Sequence, residues 1–579
     1  MSIWNLRWGD DDDNRMSPYG RSLRRLIVSA MLELNYLKAP IGFLALIIGP
    51  ALLLGIAPSV LITYKRLILH SWAFSGESPV VTLFFWAILA GVGLWIGRPL
   101  FRWALENFWH LHYTLVFPIF VVCRELLRAL VERLRGQSSN PKHVAVGWPV
   151  GTVLAAILLA GVALTLAFFV EFSFGLQLVD LKNARLWVVA KAALANATVV
   201  LGFSTAIASV YWTWRELSFR APIHDWAQTA SNHEAANARV AQMSDLHIVG
   251  ERYGYRMETG THGPRGNSCI RRALRRLKAI DANSPLDRVV VTGDITDAGT
   301  RAEWAEFIDL LRACPELRRR LSFVPGNHDL NIVDRTNPGR MDLPWAAGPS
   351  LRKLRAVLAL DAIQGDRAQL VDPDSGALGP SLSEYLQEGD RAELLRTLAQ
   401  RGTLRGRREM SKVWKAIFPL VEPPHEDERY GVILLDSNAP SHFSLTNAIG
   451  VVTPSQIKAL KRVLQNNPHH AWIILLHHQV VEYPDASVSL SDRIGLALIN
   501  APEVLAAITP HASRILLLHG HRHWDWIGAC GKVVICSAPS VSLGATGSDE
   551  RRGSFHVHEL ALSQAGDLRL ITTRRVKMK

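Results

Sequence analysis

Cysteine is scarce in this chain. Five stand among 579 residues, at 123, 269, 314, 530 and 536, and no two form a C-x-x-C pair. An odd, widely scattered set in so long a chain excludes a disulfide framework, and a reducing compartment is expected for the soluble part. No secretory leader is expected either. The first residues, MSIWNLRWGDDDDNR, are polar and acidic, whereas a signal peptide places a basic stretch before an apolar core. The basic clusters at Arg318–Arg320 and Arg405–Arg408 lack interleaved aromatics, so nucleic acid is not an expected partner. Several runs within residues 39–210 carry almost no charge, while the remainder alternates charged and apolar residues. The formal charge is +13, and much of it flanks those apolar runs, which points to a bilayer as the partner.

Crossing the hydrocarbon core takes about 20 mostly apolar residues. Four stretches meet that length, beginning at Ala39, Pro79, Val146 and Leu186. A fifth, HYTLVFPIFVVC from His112, is too short and is expected to be interfacial or re-entrant. RELLRALVERLRG, from Arg124, reads as an amphipathic helix with Leu126, Leu127, Leu130 and Leu134 on one face. Arg21, Arg24, Arg25 and Lys38 precede the first span; seven basic residues from Arg98 to Lys142 lie between the second and third; Arg215 and Arg220 follow the last. The other two loops hold only Lys65, Arg66, Lys182 and Arg185. This asymmetry predicts an integral, multi-pass membrane protein with both termini in the cytoplasm. The expected layout is a cytoplasmic segment 1–38, a helical transmembrane domain 39–210, a linker 211–237 and a soluble domain 238–579. The spans lack a run of intramembrane acids, which argues against a transporter.

From Ala238 onward, apolar runs of four to seven residues alternate with helical stretches. Each run ends in a turn: ARVAQM in SDLH, RVVVT in GDITD, LSFVP in GNHD, YGVILLD in SN, AWIILL in HHQ, RILLL in HGHRH. Such runs suit strands buried on both faces. Helix starts are marked by TRAE at Thr300 and TPSQ at Thr453, both read as capping boxes. The class is α/β, with polar residues on loops at strand ends. A lone Asp-x-His is most often a turn. Here the same chemistry recurs: Asp245 with His247, Asp294, Asn327 with His328, His477, and His521 with His523. These are N and O ligands without thiolate, which suit Mn, Fe, Co or Zn. Seven ligands are too many for one tetrahedral ion and suit two divalent ions sharing a carboxylate, an arrangement that activates water and clamps phosphoryl oxygens.

The ordered set DLH, GDITD, GNHD, LLHH and GHRH resembles the calcineurin-like metallophosphoesterase superfamily, over about residues 238–575. The finer pattern resembles the branch with bacterial class III cyclic-nucleotide phosphodiesterases: Leu435-Asp436-Ser437 before Gly450 and Gln456, and a SAPS turn at 537–540. The resemblance implies a four-layer fold of two mixed sheets between helices, and a binuclear centre. It implies that Asp245, His247 and His523 hold one metal, that Asp294 bridges, and that Asn327, His477 and His521 hold the other. His328 would sit outside the metals, touch the phosphate and protonate the leaving oxygen. His478 would point to substrate or into packing, His519 and His442 would be local turn or core residues, Asp297 a loop or helix-start acid, and Asp329 a support for its loop.

About ninety residues, 341–430, separate GNHD from the LDS strand. A connection this long with its own helices is expected to be a lid or partner surface. The expected function is a membrane-anchored, binuclear-metal phosphoesterase acting on a phosphodiester or phosphomonoester, with cyclic nucleotides among the substrates considered. The alternatives are a lipid-headgroup phosphoesterase or pyrophosphatase, a nuclease, and a non-catalytic receptor or scaffold. Lipid A precursor hydrolases of this superfamily resemble GNRD, whereas this chain has His328.

Overall fold

In the computed structural model the described residues are 49–73, 116–134, 141–175, 184–218, 222–226, 236–250, 266–334, 340–343, 346–424, 430–483, 498–543 and 553–578, with a few single positions between. The segment 1–38 and, apart from single positions, the expected span from Pro79 lie outside them. The chain forms two compact units, one within residues 35–218 and one within 219–579.

The first unit is helical: α1 (Gly49–Ala73), α2 (Phe117–Leu134), α3 (Pro141–Phe174) and α4 (Leu186–Ser218). Pro149–Phe174 and Leu186–Ser218 are long and apolar enough to cross a bilayer, and Ala51–Tyr64 is a shorter apolar helix. Large apolar side chains point outward, among them Ile157, Val162, Phe169 and Phe172 on α3 and Phe203, Ile207 and Val210 on α4. The inward face of α4 is small: Ala192, Ala193, Ala197, Gly202, Ala206 and Ser209 are buried. Large residues outside and small ones between helices is the pattern of packing in lipid. Asn196 Nδ2 donates to Gly55 O at 3.0 Å, tying α4 to α1.

The short apolar stretch from His112 and the amphipathic stretch from Arg124 are not separate elements. Phe117–Leu134 is one continuous helix. Its leucines Leu126, Leu130 and Leu134 are exposed, while Glu125 and Arg128 are buried. Arg128 Nη1 meets Glu125 Oε1 at 2.7 Å and Arg128 Nη2 donates to Thr152 Oγ1 at 2.8 Å. Arg124 Nη1 reaches Glu216 Oε2 at 2.9 Å, and Arg128 also pairs with Glu216. The ion pairs satisfy what an isolated helix would have to expose, so the two halves fuse into one buried-charge helix.

Among its described residues the second unit has fourteen strands: β1 (Ile223–Asp225), β2 (Ala238–Met243), β3 (Arg288–Val291), β4 (Leu321–Phe323), β5 (Gln369–Val371), β6 (Leu378–Ser381), β7 (Leu420–Glu422), β8 (Tyr430–Leu434), β9 (Ala471–Leu475), β10 (Ile515–His519), β11 (Trp526–Cys530), β12 (Val533–Ser537), β13 (Ser554–Leu562) and β14 (Leu568–Lys577). Its main helices are α5 (Ser268–Asn283), α6 (Arg301–Arg312), α7 (Gly348–Gln364), α8 (Leu404–Ile417), α9 (Pro454–Asn466) and α10 (Ala501–Ile508). One sheet runs β1-β11-β12-β10-β9-β8-β7-β5-β6, the other β14-β13-β2-β3-β4. Both are mixed: β8, β9, β10 and β12 run parallel, as do β2, β3 and β4, with antiparallel strands at the rims. In β8 and β9, Val432, Leu434, Ile473 and Leu475 pack into a core shared with the smaller sheet. Their neighbours Ile433, Trp472 and Ile474 pack into a second core under α9 and α10. The two-residue period of a strand thus fills two cores at once, which is why these runs show no polar alternation.

Thr300 caps α6 with both bonds of a capping box: its side chain accepts from Glu303 N, and Glu303 Oε2 accepts from Thr300 N at 2.9 Å. Thr453 caps α9, but Gln456 does not close a box there. Its Oε1 accepts from Asp436 N at 2.9 Å and its Nε2 donates to Asp436 O at 3.0 Å. A backbone N–H and C=O at a strand end offer the amide two matched bonds, and these win over the cap.

The connection 341–430 is built into the domain. It supplies β5 and β7, which extend the larger sheet, with β6 at its rim. Leu351, Leu354, Val357 and Leu360 of α7, with Met410 and Val413 of α8, lie in the core shared by both sheets. The buried Arg352 pairs with Asp342 and donates from Nε to Leu330 O at 2.9 Å, while Arg355 Nη1 donates to Gly299 O at 3.0 Å. The segment expected as a lid or partner surface also buttresses two loops at strand ends.

Candidate metal centre

Parallel strands deliver their loops side by side. The loop after β2 is stitched to the loop after β3: Asp245 N donates to Gly293 O at 3.1 Å, His247 N to Asp294 O at 3.0 Å and Ile248 N to Ile295 O at 2.9 Å. The single turn Asn327–Leu330 after β4 joins them through His328 N, which donates to Asp294 Oδ1 at 2.9 Å. Asp329 braces the same corner, accepting from the backbone of Gly326, Ile295 and Thr296 at 2.8–3.1 Å. Ser540 Oγ donates to Asp245 O at 2.7 Å, so the SAPS turn supports the DLH loop. Gly293, at φ +96°, and Gly326 are obligatory here: a Cβ at the first would strike the His477 ring, and at the second the Asp294 carboxylate.

All eight residues singled out from sequence come together, with His328 beside the seven candidate ligands. Asp245, His247 and His523 form one group, and Asp294, His477 and His521 another. In the first, His523 Nε2 is 3.3 Å from Asp245 Oδ1 and 3.4 Å from His247 Nε2. In the second, His477 Nε2 lies 3.1 Å from both Asn327 Oδ1 and His521 Nδ1, and 3.3 Å from Asp294 Oδ2. The same Asp294 Oδ2 is 3.9 Å from His247 Nε2, so one carboxylate faces both groups.

The residues fit two ions. Ligand atoms about 2.0–2.2 Å from an ion stand roughly 3–3.5 Å from one another, close to the spacing found. His477 Nδ1–H is committed to Thr292 O at 2.8 Å, which turns Nε2 toward Asn327 Oδ1 and Asp294 Oδ2. A proton on Nε2 satisfies these oxygens without metal, and a divalent ion would take that proton's place. Buried His521 Nε2 has no hydrogen-bond partner among the described residues.

The backbone carries an independent sign. Among the described residues, the non-glycine positions with positive φ are Asp245, His247, Asp294, His521 and His523, at 45–73°. All five belong to the ligand set. Holding a non-glycine residue there costs on the order of 1–3 kcal/mol, and such strain collects at functional sites.

Electrostatics agree. Burial disfavours the charged form of Asp294, but His477, His328 and His247 outweigh it and hold this carboxyl well below its usual range. Burial lowers His477, yet Asp294 and Asp245 overcome it and raise the imidazole to about 9. Burial pushes His521 and His478 well below the ordinary histidine value, and His519 to about 4. Without metal, the His477 imidazolium balances the carboxylates. Loading the centre requires that proton to leave.

Sequence reasoning treated Asp297 as a loop acid. It lies 3.2 Å from His247 Nδ1, both fully buried, in a third group with His247 and His328. His328 Nδ1 bonds Asp297 O at 2.7 Å, which turns Nε2 away from that carbonyl. Ser437 was not singled out as a support. Its Oγ accepts from His477 N and His478 N, both at 3.2 Å, and meets His478 Nδ1 at 2.9 Å. The GDITD motif offered a signal for Asp297. Arg352 and Arg355 had none, because their helix lies far off in sequence.

Comparison with known proteins bears on the same residues. The family model for calcineurin-like phosphoesterases matches residues 238–525. A protein of Coxiella burnetii named a probable cyclic nucleotide phosphodiesterase is 31% identical over 101 residues, covering 17% of this chain and 36% of that protein. The match thus spans about a third of that relative's length. A crystallised dimetal phosphatase from Danio rerio is similar at 12% identity, with a TM-score of 0.35, over 59% of this chain and 99% of that one. Residues 238–525 form a calcineurin-like phosphoesterase domain, of the hydrolase class that cleaves phosphoric esters at metal centres.

Proposed function

We propose that this chain is a membrane-anchored phosphoesterase whose soluble domain, facing the cytoplasm, hydrolyses a phosphodiester, with cyclic nucleotides the first substrates to examine. The observation that carries the reading is the convergence of two buried His/Asp groups around the shared Asp294 carboxylate. Asp245, His247 and His523 would hold one divalent ion and Asn327, His477 and His521 the other, with Asp294 bridging. Such ions supply Lewis acidity and lower the pKa of water. The rest is the chain's own. Thr292 O fixes the tautomer of His477, Asp297 lies beside His247 Nδ1, Asp329 holds the GNHD corner, and His328 Nε2 delivers a proton to the leaving oxygen. Membrane anchoring is supported by two long apolar helices with outward-facing large side chains. The orientation is supported by the Lys and Arg asymmetry.

The test is hydrolysis by the full chain in detergent, stripped of metal and then given Mn, Fe, Co or Zn. The panel holds cyclic AMP, bis-p-nitrophenyl phosphate, p-nitrophenyl phosphate, UDP-sugar lipids and single-stranded DNA. Metal-restored cleavage of the cyclic and aryl diesters supports the proposal. Cleavage of the lipid alone moves the substrate to the membrane surface, and cleavage of DNA alone makes the protein a nuclease. Silence on all five leaves a receptor or scaffold.

A further inference from the structure

The segment after the last long helix, expected as a featureless linker, contains a strand. α4 ends at Ser218 and β1 begins at Ile223. β1 lies antiparallel to β11 at the rim of the larger sheet, with Ile223 opposite Cys530, His224 opposite Ala529 and Asp225 opposite Gly528. Two bonds extend the pairing: Trp226 N donates to Ile527 O at 3.0 Å, and Gly531 N to Pro222 O at 2.9 Å. One side-chain bond crosses it. Trp526 Nε1 donates to Asp225 Oδ1 at 2.8 Å. Trp526 stands three residues after His523.

The loop from β10 to β11 therefore has its far end tied to β1. It holds His521 at φ +73° and His523 at φ +54°. Strained residues keep their conformation only where their surroundings over-determine it. The supports of this loop can be named. Arg522 pairs with Glu482 at 2.8 Å. Asp525 pairs with His556 at 2.8 Å and Arg575 at 2.9 Å. The buried Tyr483 ring lies flat against Trp524 at 5.9 Å and tilted against Trp526 at 5.3 Å. The last support is the Asp225–Trp526 bond. The residues of β1 are exposed, so this support opens most readily to solvent.

We infer that Asp225 is a positioning residue, which acts through Trp526 to hold the His521–His523 loop in its strained, metal-binding shape. The inference rests on the proposed binuclear centre. It makes metal retention depend on a strand that begins five residues after the end of α4. Asp225 touches no ligand atom itself. Loss of its acceptor frees the indole N–H, lets the end of the loop relax, and weakens the hold of both histidines.

The experiment is a cobalt titration of the full chain in detergent, read by visible absorption, with kcat on bis-p-nitrophenyl phosphate measured alongside. Asp225→Ala is expected to weaken cobalt binding about tenfold, the low end for residues that support metal ligands. Asp225→Asn, whose amide oxygen still accepts, restores it. Trp526→Phe keeps an aromatic ring but removes the donor together with the five-membered ring, so its loss is at least that of Asp225→Ala, and it serves if that variant does not fold. The double variant is no weaker than Trp526→Phe alone, since the shared bond is already lost. Wild-type affinity in Asp225→Ala and Trp526→Phe, failure of Asp225→Asn to restore, or additive losses in the double variant each overturn the inference. Failure of the proposed activity shows separately, as cobalt binding without hydrolysis. No cobalt uptake by the wild type overturns both.

Discussion

His328→Ala separates proton delivery from metal binding. His328 is buried, its Nδ1 bonded to Asp297 O at 2.7 Å and its ring edge-to-face with His247 at 4.6 Å. Nε2 is thus the atom available for a proton. An alkyl ester leaves as an alkoxide and needs that proton, whereas a p-nitrophenyl ester leaves readily without it. General acids contribute about 10²–10⁴-fold. At about 1.4 kcal/mol per factor of ten, the expected loss for an alkyl diester is roughly 3–5 kcal/mol of transition-state stabilisation. The substitution also leaves Asp297 O without this partner, at a cost of about 1–3 kcal/mol in stability. His328→Gln is therefore run beside it as a second probe. The assay is kcat on alkyl and aryl diesters with metal content measured in the same samples. Both ions stay, the alkyl rate falls, and the aryl rate falls much less. Equal losses on both esters would refute proton delivery and make His328 a phosphate contact. Loss of metal would make it a ligand.

Asp294→Asn removes the charge shared by both groups, and elemental analysis should find at least one ion fewer per chain with the fold kept by circular dichroism. Glu303 offers a pH test. Burial and Asp297 raise its carboxyl to about 8 from an ordinary 4.5. A raised acid binds more protons folded than unfolded, so stability falls as pH climbs from about 4.5 to about 8, with a slope of at most roughly 1.4 kcal/mol per pH unit. Glu303→Gln keeps an acceptor for Thr300 N and Ala298 N, and melting curves across that window should lose this part of the slope. Equal slopes in both proteins would contradict the burial argument. A cytoplasmic reporter fused after Lys579 should be active, and one near Ser75 should show the external pattern. The reverse would place the domain outside.

The α/β half was legible because each candidate ligand sits at the tip of an apolar run. RVVVT followed by GD can be read without knowing what the strand pairs with. The cap at Thr300 followed from local rules, and the mixed sheets from the family resemblance. What was hidden depended on distance. Gln456 satisfies Asp436, twenty residues away, so the expected capping box gave way to a better bond. The 341–430 connection looked like a lid because its helices are visible in sequence, while β5 and β7 are three residues each and pair only across the fold. The helix Phe117–Leu134 looked like two elements because its charges meet partners on α3 and α4 that no local pattern announces.

The most direct measurement is anomalous diffraction from crystals of the full chain loaded with manganese. The account predicts two peaks roughly 3.5–4 Å apart, one among Asp245, His247 and His523, the other among Asn327, His477 and His521, with Asp294 between. A single peak, or a pair lying away from Asp294, would contradict it.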